Sequence, residues 1–336
     1  MLRFMPVVSG VCLLACSLVR PSSAQTTDVH IMPHEMEMAR ADAASDASGI
    51  ADPALRTHTK PLEKDVNLVL VPVTVTDPMT RLVAGLGKDS FIVKENGEPQ
   101  QIRYFSTDDA PISLGVILDV SGSMKDKIDE LRQAVVEFFR AANSQDEFFL
   151  VTVTDQPKVL VDFTSSVDEI QRRLEYTVPN GSTALLDAIY LGVHRMREAR
   201  YQRKALLIIS DGGDNHSRYT EDEALDMVRE SDVQIYAMGL VNFHGNTPEE
   251  LHGPELLAAI TDSTGGQTFF IHSQRDLPEV AAKIGSELRN EYLLGYRPTN
   301  PNHDGKWRRI AVKLNPPKGL PQLHVYAKTG YYAATP

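Results

Sequence analysis

Ile112-Ser113-Leu114-Gly115-Val116-Ile117-Leu118-Asp119-Val120-Ser121-Gly122-Ser123 is the stretch from which the rest of the chain can be read. Residues 112–118 form a near-continuous apolar run, the composition of a strand buried on both faces inside a helix-covered parallel sheet. The run passes directly into Asp-x-Ser-x-Ser. A helix follows, because Ile128, Leu131, Val135, Phe138 and Ala142 recur at spacings of three and four. A strand that ends in polar residues just before a helix places those residues at the carboxyl edge of the sheet, where ligands of such folds bind.

Outward from this stretch the same grammar repeats. Residues 148–153, 205–209 and 233–238 are further apolar runs. Ser166 with Glu169, and Thr220 with Glu223, have the spacing of capping boxes that open helices. A last helix is expected over residues 276–289. Strands alternating with helices predict an α/β fold, a doubly wound and mostly parallel sheet, over residues 110–290.

The flanks read as antiparallel β. Residues 66–76 are β-branched and apolar, with Pro72 pointing to an edge or a bulge. Residues 91–95 and 101–105 flank Asn96-Gly97, a pair suited to a hairpin turn. Past residue 290, apolar residues alternate at Tyr292, Leu294 and Tyr296, at Ile310, Val312 and Leu314, and at Leu323, Val325 and Ala327. Neither flank holds enough strands for its own core. Residues 61–109 and 291–336 are therefore expected to join into one small antiparallel β domain, with the α/β domain inserted between them.

The 336 residues are 42% hydrophobic and 24% charged, a globular composition, and the formal charge of −11 argues against a nucleic-acid partner. Arg3, the apolar residues 4–19 and Ser22-Ser23-Ala24 read as a signal peptide over residues 1–24. This predicts export across an inner membrane, to the periplasm or beyond. Two other readings stand: retention of the stretch as an anchor, although it is shorter than the roughly 20 residues of a span, and lipidation at Cys16 within Leu13-Leu14-Ala15-Cys16. Cys12 and Cys16 are the only cysteines, so a chain starting at Gln25 would hold no disulfide. No later stretch is apolar enough to span a bilayer. Residues 25–60 lack periodicity and read as a disordered leader. In it Met32, His34, Met36 and Met38 form either a soft-ligand set suited to copper or an ordinary polar tail.

Asp119, Ser121 and Ser123 are spaced by two, so an extended-to-turn backbone presents their oxygens on one side. Carboxylate and hydroxyl donors without His or Cys select Mg²⁺, Mn²⁺ or Ca²⁺ over zinc or copper. Alone, the run equally describes a helix-capping turn. Two further segments reach the same edge: Gly181-Ser182-Thr183 before a helical stretch, and Ser210-Asp211-Gly212 after an apolar strand.

With these three segments in this order, the chain resembles the von Willebrand factor type A (VWA) family. That family's metal-ion-dependent adhesion site (MIDAS) is built from Asp-x-Ser-x-Ser, a Thr and a later Asp. The matching residues are Asp119, Ser121, Ser123, Thr183 and Asp211, and Gly265-Gly266 before residues 267–270 is similar to the family's late turn and strand. The resemblance implies that the three hydroxyls approach the metal and that the two carboxylates ligate it directly or through water. One position is then left for an Asp or Glu of a protein partner. The β flanks, with Glu291-Tyr292-Leu293-Leu294-Gly295-Tyr296 and Gly330-Tyr331-Tyr332, resemble the acidobacterial VWFA-related secreted proteins.

Enzyme signatures are missing. There is no Gly-x-Ser-x-Gly elbow, no His-Glu-x-x-His helix and no phosphate loop ending in Gly-Lys-Ser or Gly-Lys-Thr. The expectation is a secreted, metal-dependent binding or adhesion module without catalytic activity. The alternatives are a hydrolase using the same cation, with His216 or a rim carboxylate as base, and a subunit whose metal only stabilises the fold. Residues 242–253 read as a polar loop, either on the metal-bearing edge or simply on the surface.

Overall fold

The computed structural model describes residues 68–240, 248–317 and 319–335. The expected signal peptide with Cys12 and Cys16, the leader with its Met/His set, Val66, and residues 242–247 of the polar insert lie outside the described residues. In chain order the elements begin with β1 (Val69–Thr76), β2 (Phe91–Glu95), β3 (Glu98–Gln100) and β4 (Ile102–Ser106). They continue with β5 (Ile112–Asp119), α1 (Ile128–Arg140), β6 (Glu147–Val153), β7 (Lys158–Thr164), α2 (Val167–Glu175), α3 (Leu185–Arg195), β8 (Arg203–Ser210) and α4 (Glu221–Glu230). Next come β9 (Gln234–Leu240), α5 (Pro248–Thr264), β10 (Thr268–Ile271) and α6 (Leu277–Arg289). The chain closes with β11 (Tyr292–Tyr296), β12 (Trp307–Leu314), β13 (His324–Ala327) and β14 (Gly330–Tyr332). Among the described residues no helix is long and apolar enough to cross a membrane.

The central sheet runs β10-β9-β8-β5-β6-β7, parallel except for β7, which pairs antiparallel with β6 at an edge. Alternate residues of β5 feed two cores. Leu114, Val116 and Leu118 pack with Leu131, Val135 and Phe138 of α1 and with Leu277, Ala281 and Ile284 of α6. On the opposite face Ile117 joins Leu185 and Ile189 of α3, Val228 of α4, and Leu257 and Ile260 of α5. Burial on both faces explains why β5 has no polar face. The chain leaves β5 for β6 on one side and later returns as β8 on the other, so a crevice opens outside the carboxyl end of β5.

The helix starts follow their caps. Thr220 accepts the Glu223 N–H while Glu223 accepts the Thr220 N–H, the full reciprocal box. Ser166 accepts the Glu169 N–H at 3.3 Å, but the Glu169 carboxylate accepts from the Thr164 hydroxyl instead, so that box is only half formed.

Two four-stranded antiparallel sheets, β13-β1-β11-β4 and β14-β12-β2-β3, flank the α/β segment. Each combines strands from both sides of it, and they share a core of Val71, Val73, Phe91, Val93, Tyr292, Leu294 and Ile310. Glu95 faces Glu98 across the turn at Asn96 (φ 49°) and Gly97 (φ 91°), a two-residue primed turn that tolerates positive φ. The strand following this turn is β3. Residues 101–105 instead fall largely in β4, which crosses to the other sheet and pairs with β11, so the expected hairpin partner is corrected. Pro72 is also not at a sheet edge. It sits inside β1 opposite Leu293, at a level where β13 has not yet begun to pair, and its missing N–H disrupts no ladder on that side.

The amino end of the central sheet is tied to the flanking strands by buried polar groups. Arg203 donates to the Ala110 carbonyl, the Leu288 carbonyl and the Glu291 carboxylate at 2.9, 2.5 and 3.3 Å. Arg289 bridges the buried Asp146 and the more exposed Asp109.

Candidate metal centre

At the opposite, carboxyl end of the sheet, β5 stops at Asp119 and β8 at Ser210. The fully buried Asp119 carboxylate accepts the Ser121 N–H at 2.9 Å through one oxygen and the Ser210 hydroxyl at 2.7 Å through the other. The Ser121 hydroxyl lies 3.2 Å from that of Ser123, and Ser123 donates to Asp211 at 3.0 Å. The second Asp211 oxygen accepts the Gly213 N–H at 3.1 Å. Asp119, Ser121, Ser123 and Asp211 thus belong to one connected polar chain, with Asp119 at its buried end and Ser123 in solvent.

Thr183 reaches this edge through its backbone. The Gly122 N–H donates to the Gly181 carbonyl at 3.1 Å and the Asn180 N–H to the Val120 carbonyl at 3.0 Å, which stitches the Thr183 loop to the Asp119–Ser123 loop. The Thr183 N–H donates to the Asn215 side chain at 3.0 Å, while its carbonyl accepts from the N–H groups of Asn215 and His216. These bonds join all three loops, and Thr183 is 6% exposed. His216 itself is exposed.

Burial, and then the negative charge of Asp211, push the Asp119 carboxyl up to about 6. A buried carboxyl whose ionisation is opposed by a neighbouring carboxylate, with hydroxyl oxygens close by, is a donor set that a hard cation would relieve. Among the described residues no three His, Cys, Asp or Glu side chains converge into a metal-holding group. The candidate set is of another kind, with only two carboxylates and the rest hydroxyls. Of the five residues expected to hold a cation, Asp119, Ser121, Ser123 and Asp211 are brought together in the polar chain, and Thr183 is tied to the same edge through its backbone.

Sequence reasoning did not single out Ser210, Asn215 or Asp155 for their roles. Ser210 anchors Asp119, Asn215 holds Thr183, and Asp155 accepts the Ser182 N–H at 2.6 Å, a hydrogen bond that lowers its pKa. Only Ser210 carried a signal, as the strand-end residue beside Asp211. The polar insert is corrected from Pro248 onward. That part is helix, and Gly253 lies against Gly212 beside the site.

Among curated proteins none matches this sequence. Among solved structures, BatB from Bacteroides thetaiotaomicron is similar at 14% identity and a TM-score of 0.43, over 53% of this chain and 98% of that one. A von Willebrand factor type A protein from Catenulispora acidiphila is similar at 12% identity and a TM-score of 0.46, over 80% of this chain and 75% of that one. The pilus adhesin SpaC from Lactobacillus rhamnosus GG, in its open conformation, is similar at 10% identity and a TM-score of 0.47, over 79% of this chain and 48% of that one. Residues 114–213, which run from within β5 to the loop carrying Asp211, match the family model described as the von Willebrand factor type A domain.

Proposed function

We propose that Asp119, Ser121, Ser123, Thr183 and Asp211 hold a divalent cation, Mg²⁺ or else Mn²⁺ or Ca²⁺, and that the protein uses this site to bind a protein partner through an Asp or Glu. The observation that carries the reading is the connected chain of two carboxylates and two hydroxyls at the sheet's switch point, with the Thr183 loop stitched beside it. When bound, the cation supplies a positive centre able to accept one more carboxylate oxygen. The five side chains leave one of the six or more oxygen positions of such a cation open, and a carboxylate oxygen from outside can complete the shell. VWA domains often mediate protein–protein interaction, which agrees with a binding module better than with an enzyme. The N-terminal signal features support action outside the cytoplasm, with Cys16 lipidation as the alternative to cleavage after Ala24.

The test is capture of partners from the native envelope by the full chain, with Mg²⁺ and with chelator. Partners lost on chelation, and lost again when their acidic contact residue is changed to Asn or Gln, support the reading. Partners retained equally under chelation contradict it, and metal-dependent turnover of a substrate would favour the hydrolase alternative.

A further inference from the structure

Helix α5 opens with a turn that its own sequence sets apart. Pro254 lies inside the helix, where it lacks the N–H for the carbonyl four residues earlier and crowds the preceding turn. Beyond it, Leu256, Leu257 and Ile260 are buried in the core. Before it, Leu251 is 68% exposed, so this turn is not held by apolar packing of that residue.

Among the described residues, two contacts hold the turn instead. The first is backbone against backbone. A Cβ on Gly253 would stand 2.5 Å from the Asp211 carbonyl oxygen and 2.7 Å from the Gly212 carbonyl carbon. A Cβ on Gly212, whose φ is +82°, would stand 2.6 Å from the Gly253 carbonyl oxygen. Only a pair of glycines allows this approach. The second contact is His252, whose Nε2 lies 3.1 Å from Glu221 at the start of α4 and whose Nδ1 lies 3.2 Å from Glu255 on α5 itself. Ionised carboxylates only accept hydrogen bonds, so both ring nitrogens must donate, and only the imidazolium does so. The neutral ring would give up one of the two bonds. Glu221 first and Glu255 second are the charged groups facing the ring, and both raise its pKa.

We propose that His252 and Gly253 are positioning residues for Asp211: protonated His252 clasps the first turn of α5 to α4, and Gly253 in that turn holds the Asp211–Gly213 loop in its cation-ready conformation. Its consequence for affinity rests on the metal reading above, whereas the clasp itself acts in the metal-free chain. Affinity should then fall as the clasp loses its proton, the opposite direction to ordinary proton competition at carboxylate ligands.

Hydrogen exchange of the Gly212 and Gly213 amides in the metal-free full chain tests the clasp, because these amides donate to Ser210 and Asp211 at 3.0 and 3.1 Å. After correction for intrinsic rates, His252→Gln should exchange about two- to fivefold faster than wild type near pH 6, the range an exposed ion pair supports, and should converge with it near pH 8. Glu221→Gln should move the wild-type midpoint to lower pH. Equal exchange in wild type and His252→Gln near pH 6 would overturn the proposal. Mn²⁺ titration of the same proteins separates it from the metal reading. If wild type binds no Mn²⁺ while the exchange difference persists, positioning holds and the metal reading fails. If wild type binds Mn²⁺, Gly253→Ala should weaken binding by about tenfold or more through displacement of Asp211. Unchanged affinity in both His252→Gln and Gly253→Ala would overturn the proposal.

Discussion

Replacing Glu287 by Gln should stabilise the protein at alkaline pH and not at acidic pH. Glu287 lies on α6 with its side chain 1% exposed. Lys283 approaches only to 4.0 Å, Gln267 donates to one oxygen at 3.5 Å, and the other oxygen has no hydrogen-bond partner. Burial pushes its carboxyl up from 4.5 to about 7; Lys283 opposes this and the nearby Glu291 charge adds to it. A carboxyl with a raised folded-state pKa imposes no penalty below its unfolded pKa. The penalty grows as pH rises from about 4.5 through about 7, because the unfolded chain ionises first. At about 1.4 kcal/mol per pKa unit, the shift amounts to about 3 kcal/mol of stability lost by pH 8. A Gln at the site leaves an amide imperfectly bonded at a cost of about 1 kcal/mol, so the net gain at pH 8 is about 2 kcal/mol. Urea unfolding followed by circular dichroism near pH 5 and pH 8 measures the difference. A variant no more stable than wild type at pH 8, or one that gains more at pH 5, would refute the reasoning.

Other parts of the fold make their own tests. Arg289→Ala leaves the buried Asp146 without its cation while Asp146 still accepts the Ile112 and Asn143 N–H groups, so urea unfolding should show a loss of about 3 kcal/mol or more. Deleting residues 298–336 removes β12, the neighbour of β2, and should make the turn at Asn96-Gly97 sensitive to protease. Unchanged cleavage there would mean that the two flanks stand independently.

The central sheet was readable because strands buried on both faces are unbroken apolar runs, and β5, β6, β8 and β9 are all of that kind. β7 was overlooked. It lies at an antiparallel edge with Asp162 and Lys158 exposed, and a half-exposed strand of this sort resembles a polar connection. The turn at Asn96-Gly97 was legible from its two residues. Its partner strand was not, since Pro99 argues against a strand and the better β-forming run at 102–106 serves the other sheet. The start of α5 reads as loop in the sequence because Gly245, Asn246, Pro248 and Gly253 all suit a surface loop. There the close approach to Gly212 outweighs propensity. At the candidate site the spacing of Asp119, Ser121 and Ser123 is local and visible in sequence. The partners Asn215 and Asp155 come from separate loops, and only the folded topology brings them together.

The central claim is that Asp119 and its neighbours bind a divalent cation, and calorimetric titration of Mg²⁺ and Mn²⁺ into wild type and Asp119→Ala tests it most directly. Asp119→Ala removes one of two charged donors and frees the Ser121 N–H and Ser210 O–H. The two hydrophobic cores of the sheet remain, so the variant should stay folded by circular dichroism. Affinity should fall by more than the roughly 10–100-fold that loss of an outer-shell partner costs. Equal cation affinity in the folded wild type and variant would mean that the Asp119 segment is a helix-capping turn, and the metal-dependent binding account would be wrong.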